Sequence, residues 1–181
     1  WKGGDAGLID GLIINGSART VGGIAGLVRR VQDKSGWGLS LLAPLGEDSG
    51  LFLRTSHNDG NTETYAFTEI DQQISMGGQF TGARWGRAAD RWGVAFAVHE
   101  LSATHRAYLA AGGLGFFLGD GALNYAPERV FETWYRWALP DWGTRAGTVQ
   151  STVSAGWQYI QNPGYNQDRG PVQVYSLRWH S

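Results

Sequence analysis

Between Phe131 and Leu139 the side chains alternate. Phe131, Thr133, Tyr135, Trp137 and Leu139 fall on one side of an extended chain, and Glu132, Trp134 and Arg136 fall on the other. The same period of two returns from Val149 to Tyr159, where Val149, Val153, Ala155, Trp157 and Tyr159 oppose Gln150, Thr152, Ser154, Gly156 and Gln158, with Ser151 interrupting the apolar side. It recurs where Tyr175, Leu177 and Trp179 oppose Ser176, Arg178 and His180, where Trp92, Val94, Phe96 and Val98 oppose Gly93, Ala95, Ala97 and His99, and where Ile74, Met76 and Phe80 oppose Gln73, Ser75 and Gln79. Trp37 to Ala43 and Leu51 to Asn58 repeat it more weakly. From residue 37 onward the chain therefore reads as all-β, with roughly seven antiparallel strands.

Alternation alone suits a soluble sandwich as well as a barrel. The placement of the aromatics favours the barrel. Trp and Tyr stand near the strand ends with short aliphatics between them, as membrane interfaces favour, because an indole or phenol joins an apolar body to a polar handle. The opposite face then needs water for its Gln, Ser, Thr, Arg and Glu residues, which a pore supplies. No stretch of about 18 apolar residues is present to cross a bilayer as a helix. A soluble carbohydrate-binding β-sandwich remains the alternative, with those polar residues on its outer surface. An odd strand count cannot close a bacterial barrel, so the expectation is the second half of a barrel that needs the remainder, or other copies, for closure.

The composition changes near residue 33. Lys2 and Lys34 are the only lysines, Trp1 is the only aromatic residue before position 35, and all five prolines come later. Two units are expected, residues 1–32 and residues 33–181. In the first, Ile9, Ile13, Thr20, Ile24, Val28 and Val31 recur at helical spacing, although Gly11, Gly16, Gly22, Gly23 and Gly26 each cost about 1 kcal/mol relative to alanine. The strings Trp-Lys-Gly-Gly-Asp at 1–5, Ile-Asp-Gly-Leu at 9–12, Asn-Gly-Ser-Ala-Arg at 15–19 and Gly-Leu-Val-Arg-Arg-Val-Gln at 26–32 resemble the C-terminal region of the L subunit of respiratory NADH:quinone oxidoreductase. The expectation is a short helical segment foreign to the barrel. A fragment associated with that enzyme's membrane arm is the second alternative.

The longer segment carries its own resemblance. Tyr-Ala-Phe-Thr-Glu-Ile-Asp at 65–71, Gly-Ala-Arg-Trp-Gly-Arg at 82–87, the run from His105 to Gly121, Leu-Asn-Tyr-Ala-Pro-Glu-Arg at 123–129, and Asn162 to Asn166 followed by Asp168 to Val172 are similar to carbohydrate-selective porins of the OprB family. The likeness covers roughly residues 29–181 with the motifs in one order. It implies a sixteen-stranded barrel of the bacterial outer membrane, of which this chain holds the C-terminal strands, letting monosaccharides diffuse passively. The implied partners are sugars in transit and outer-membrane lipid. Against that pattern the upstream strands and signal peptide are missing, and the chain stops short of the usual terminal aromatic.

Other chemistry is poorly served. The net charge is -1 with both signs scattered, so no basic face exists for nucleic acid. There is no cysteine, and His99-Glu100 is followed by Ala103 where a zinc helix would place its second histidine. The dinucleotide glycine pattern that Gly113 and Gly115 begin meets Leu118 at its third position. No enzyme and no cofactor are expected. Residues 100–128 are too long for a tight turn: Ser102 is placed to cap a short helix reaching Ala111, and the glycine-rich stretch beyond it either folds into a pore or stays outside as a loop. Sugar contacts need hydrogen-bonding groups for hydroxyls and an aromatic face for ring C–H edges. Arg54, Glu132, Trp134 and Arg136, all on the polar side of their strands, are the substrate-binding candidates, though their charges also fit a structural ladder.

Overall fold

A computed structural model describes residues 2–3, 32–46, 49–61, 69–115, 117–140, 142–144 and 147–181. Two-residue strands β1 (Lys2–Gly3) and β2 (Gln32–Asp33) pair with each other. The helix expected over 7–32 otherwise lies outside the described residues, as does the division of the chain at residue 33.

Seven strands carry the fold: β3 (Gly36–Pro44), β4 (Gly50–Asn58), β5 (Gln72–Gly82), β6 (Arg87–Glu100), β7 (Glu128–Ala138), and, beyond a minor hairpin of β8 (Trp142–Thr144) and β9 (Gly147–Val149), β10 (Thr152–Gln161) and β11 (Val172–His180). They form one antiparallel sheet in the order β11-β10-β7-β6-β5-β4-β3. Each pairs with its neighbour in sequence, apart from the skipped hairpin, as an up-and-down wall requires. The strands run from 9 to 14 residues, and about 9–11 tilted residues suffice to cross a bilayer. Among the described residues no helix is long and apolar enough to do so.

One strand differs from its sequence reading. Val149 belongs to the minor hairpin, and β10 begins only at Thr152. Pro140 has no N–H to continue the ladder, and the Leu139 N–H donates to the Ser151 carbonyl at 2.9 Å, closing the β7–β10 pairing there. Ser151, the residue that broke the alternation, is buried at that closure.

The registers settle which residues share a face. Trp92, Tyr135, Ala155 and Leu177 stand in one row, and Phe96, Phe131, Tyr159 and Gln173 in another. This face is largely apolar and uncovered: Tyr175, Leu177 and Trp179 are 75%, 77% and 70% exposed. Among the described residues no second sheet packs against it. Indole N–H groups on the face find partners inside the sheet, Trp92 with Thr133 Oγ1 at 3.0 Å and Trp157 with Gln173 Oε1 at 3.2 Å.

The two ends of the sheet differ. One end carries the short connection 45–49 and a 3-10 turn, Ala83–Trp85, closed by Gly86. Beside it Asp90 receives Tyr135 Oη at 2.7 Å and the Ala138 N–H at 2.9 Å and pairs with Arg87, while Trp85 Nε1 donates to Tyr135 Oη at 2.8 Å. The other end carries the long connections 59–71, 101–127 and 162–171. Leu101, Tyr108, Leu109 and Tyr165 form the buried core there.

Candidate functional site

The second face of the sheet is the candidate site. Register places Gly38, Ser40, Arg54, Ser56, Gln73, Ser75, Gly77, Gln79, Gly93, Ala95 and Ala97 on it, followed by Glu132, Trp134, Arg136, Ser154, Gly156, Gln158, Ser176 and Arg178. Small and hydrogen-bonding residues dominate this face, as a face that meets water needs. Leu42 and Phe52 are apolar exceptions beside the short connection 45–49.

The four sequence candidates do share this face, in two places. Glu132, Trp134 and Arg136 line one groove with Ser154, Gly156, Ser176 and Arg178. Glu132 Oε2 accepts a hydrogen bond from Gln158 Nε2 at 3.0 Å, which aims the carboxylate across to β10. Trp134 lies against Gly93, where an added Cβ would fall 2.3 Å from its Cε2. The glycine thus makes room for the indole to rest on the wall. Nε of Arg136 is buried without a hydrogen-bond partner. Arg54 stands apart on β4, paired in register with Ser40 and Ser75, its guanidinium 5.2 Å from the centroid of the Phe52 ring. Two strands separate it from β7, a distance on the order of 14 Å at the usual strand spacing.

The long-loop end holds a polar cluster drawn from the stretches that carry the family resemblance, in which only Ser102 had been given a role. Ser102 caps helix α1 (Ala103–Ala110), as expected, by accepting from the His105 N–H at 3.0 Å, and its own hydroxyl donates to the Gly60 carbonyl at 2.9 Å. Gly60 has φ +58, and a Cβ there would fall 2.4 Å from that of Ser102. Asp71 accepts from the Ser102 N–H and pairs with Nδ1 of His105, each at 2.9 Å, and both side chains are almost wholly buried. Burial opposes ionisation of Asp71, but those partners outweigh it and hold the carboxyl below its ordinary range. Glu69 receives the N–H groups of Phe117 and Leu118, both at 3.0 Å, and Tyr165 Oη donates to the Glu69 carbonyl at 3.0 Å. Burial, and then the nearby carboxylates, push the Tyr165 phenol up. Hydrogen bonds from Asn166 and Arg169 hold Asp120 low. Three long connections are therefore tied together at one end of the wall. Nothing in the local pattern of His105 or Asp71 marked this pairing, since 34 residues separate them.

The arrangement has the parts of a channel wall: a polar face with weak hydrogen-bonding groups and one aromatic, an apolar face for lipid, and one end braced by loops. It gathers no nucleophile, base and orienting group on that face, and among the described residues no cluster of three or more His, Asp or Glu stands ready for a metal. The model of the carbohydrate-selective porin family, OprB, matches residues 17–181. No curated protein and no solved structure matches the chain.

Proposed function

Since this chain belongs to the OprB family of carbohydrate-selective porins, we propose that its polar face lines an outer-membrane pore in which Arg54, Glu132, Trp134 and Arg136 contact passing sugars. The family is one of passive carbohydrate channels, not of enzymes. One observation carries the reading: a single sheet whose two faces suit two different solvents, one apolar and rimmed by Trp and Tyr, the other rich in small and hydrogen-bonding residues. Among the described residues, edge strands β3 and β11 have unpaired sides, and lipid tolerates no open edge. Further strands, from a longer chain or from other copies, complete the barrel. Because barrels carry short turns on the periplasmic side and longer loops outside, the end braced by α1 faces the medium.

On this reading Glu132, aimed by Gln158, accepts sugar hydroxyls, and Trp134, laid flat on Gly93, offers a face to ring C–H edges. The test is sugar block of single-channel current in planar bilayers, using the full-length protein. Glu132→Gln removes a charge-assisted hydrogen bond and is expected to raise the half-blocking glucose concentration about tenfold. Absence of any sugar-permeable conductance would sink the channel. An unchanged block in both Glu132→Gln and Trp134→Ala would remove these residues from the sugar path.

A further inference from the structure

Phe52 breaks the polar pattern of the pore-facing wall, and its surroundings give it a use there. Leu42, Phe52, Gly77, Ala95 and Glu132 stand in register as one row across β3 to β7. The next row is Gly50, Gln79, Gly93 and Trp134. In each row an aromatic side chain reaches over a glycine of the neighbouring strand. A Cβ added at Gly77 would fall 2.8 Å from Cε1 of Phe52, and one added at Gly93 would fall 2.3 Å from Cε2 of Trp134. The two rings therefore lean toward each other from β4 and β7, and the two strands between them supply the floor.

Gly77 pairs with Ala95, so Gly77 and Gly93 are diagonal neighbours, and such positions lie about 7–8 Å apart. Both rings line one hollow of about 660 Å³, together with Leu42, Gln79, Ala95 and Glu132. That volume lies within the range of about 300–1,000 Å³ that holds drug-sized ligands, and a single hexose does not fill it. Each ring also has a hydrogen-bonding neighbour. Gln79 lies directly opposite Gly93, beside the Trp134 end. Glu132, held by Gln158, borders the Phe52 end across the small side chain of Ala95. Phe52 is braced from behind. Leu42 stands beside it, and Arg54, two residues farther from the Trp134 row, brings its guanidinium 5.2 Å from the ring centroid.

We infer that this hollow is a two-ring sugar site, with disaccharides as its preferred occupants. One pyranose lies on Trp134 with its hydroxyls at Gln79, and the ring linked to it lies on Phe52 with its hydroxyls at Glu132. A single sugar ring covers one aromatic, whereas two linked rings gain both contacts for one loss of translational freedom. The inference rests on the channel reading above and adds Phe52 and Gln79 to its sugar contacts.

The test measures block of single-channel current by glucose, maltose and cellobiose, with the full-length protein in planar bilayers. At least one disaccharide should reach half-block at a concentration about tenfold below that of glucose. Phe52→Leu keeps apolar bulk without the flat ring, and should bring that disaccharide to within about twofold of glucose. Phe52→Tyr keeps the ring and should keep the advantage. Trp134→Leu should remove the advantage as well, and the double substitution should cost the disaccharide little beyond either single one. Disaccharides that block no better than glucose in the wild type, or an advantage that survives Phe52→Leu or Trp134→Leu, would overturn the two-ring site while glucose passage still upheld the channel. If glucose itself does not pass, the channel reading has failed first.

Discussion

Replacing Asp71 by alanine removes the acceptor at the centre of the loop cap. Two buried donors lose their partner together: the Ser102 N–H and Nδ1 of His105, each at 2.9 Å. Orphaning a buried donor costs about 1–3 kcal/mol, and removing one member of a buried pair costs about 3–5 kcal/mol, so both routes place the loss near 3–5 kcal/mol. That loss falls on the cap, because the ladders of β6 and β7 do not run through Asp71. Hydrogen exchange of the full-length protein in detergent micelles reads it directly. Protection of the Tyr108 and Leu109 amides should fall by about two to three orders of magnitude while the strand amides of β6 and β7 stay as they were. His105→Ala, which leaves the Ser102 N–H its acceptor, should cost less. Acid should mimic the substitution with a definite sign. The folded carboxyl titrates below the 3.8 of a free aspartate, so its contribution is full above that value and is lost as pH falls through the lower folded value. The acid loss of protection should vanish in Asp71→Ala. A fall in α1 protection smaller than tenfold, or an equal fall across the sheet, would refute the cap as a unit held by this carboxylate.

Two further outcomes follow from the wall. Glycine to alanine inside a strand ordinarily stabilises, yet Gly93→Ala should cost about 1–3 kcal/mol because the new Cβ meets Trp134 at 2.3 Å. In a Trp134→Ala background the penalty should disappear in urea unfolding, and an equal penalty in both backgrounds would deny the contact. Val94→Arg, on the apolar face between Trp92 and Phe96, should cost about 2–4 kcal/mol in lipid, whereas Ala95→Gln, facing the pore, should change unfolding by no more than about 0.5 kcal/mol. Equal losses in heat-modifiable gel mobility would mean that the two faces do not meet different solvents.

Much of the wall was legible in the linear pattern. A strand turns successive side chains to opposite faces, so the alternation from Phe131 to Trp137 assigned Glu132, Trp134 and Arg136 to one side before any neighbour was known. The cap at Ser102 was equally local, because an N-cap acts on an N–H three residues ahead. Alternation failed at Val149, where Pro140 ended pairing and β9 paired back on β8.

The sequence by itself determined the period, the strand number and which residues could face water. Only the tertiary structure decided which of them stand side by side. Register between strands depends on turns and bulges far from the residues it aligns, so Arg91, Arg136 and Arg178 become one row only when β6, β7, β10 and β11 are paired. The meeting of Asp71 with His105, and of Trp134 with Gly93, likewise follows from long-range pairing that no local spacing encodes.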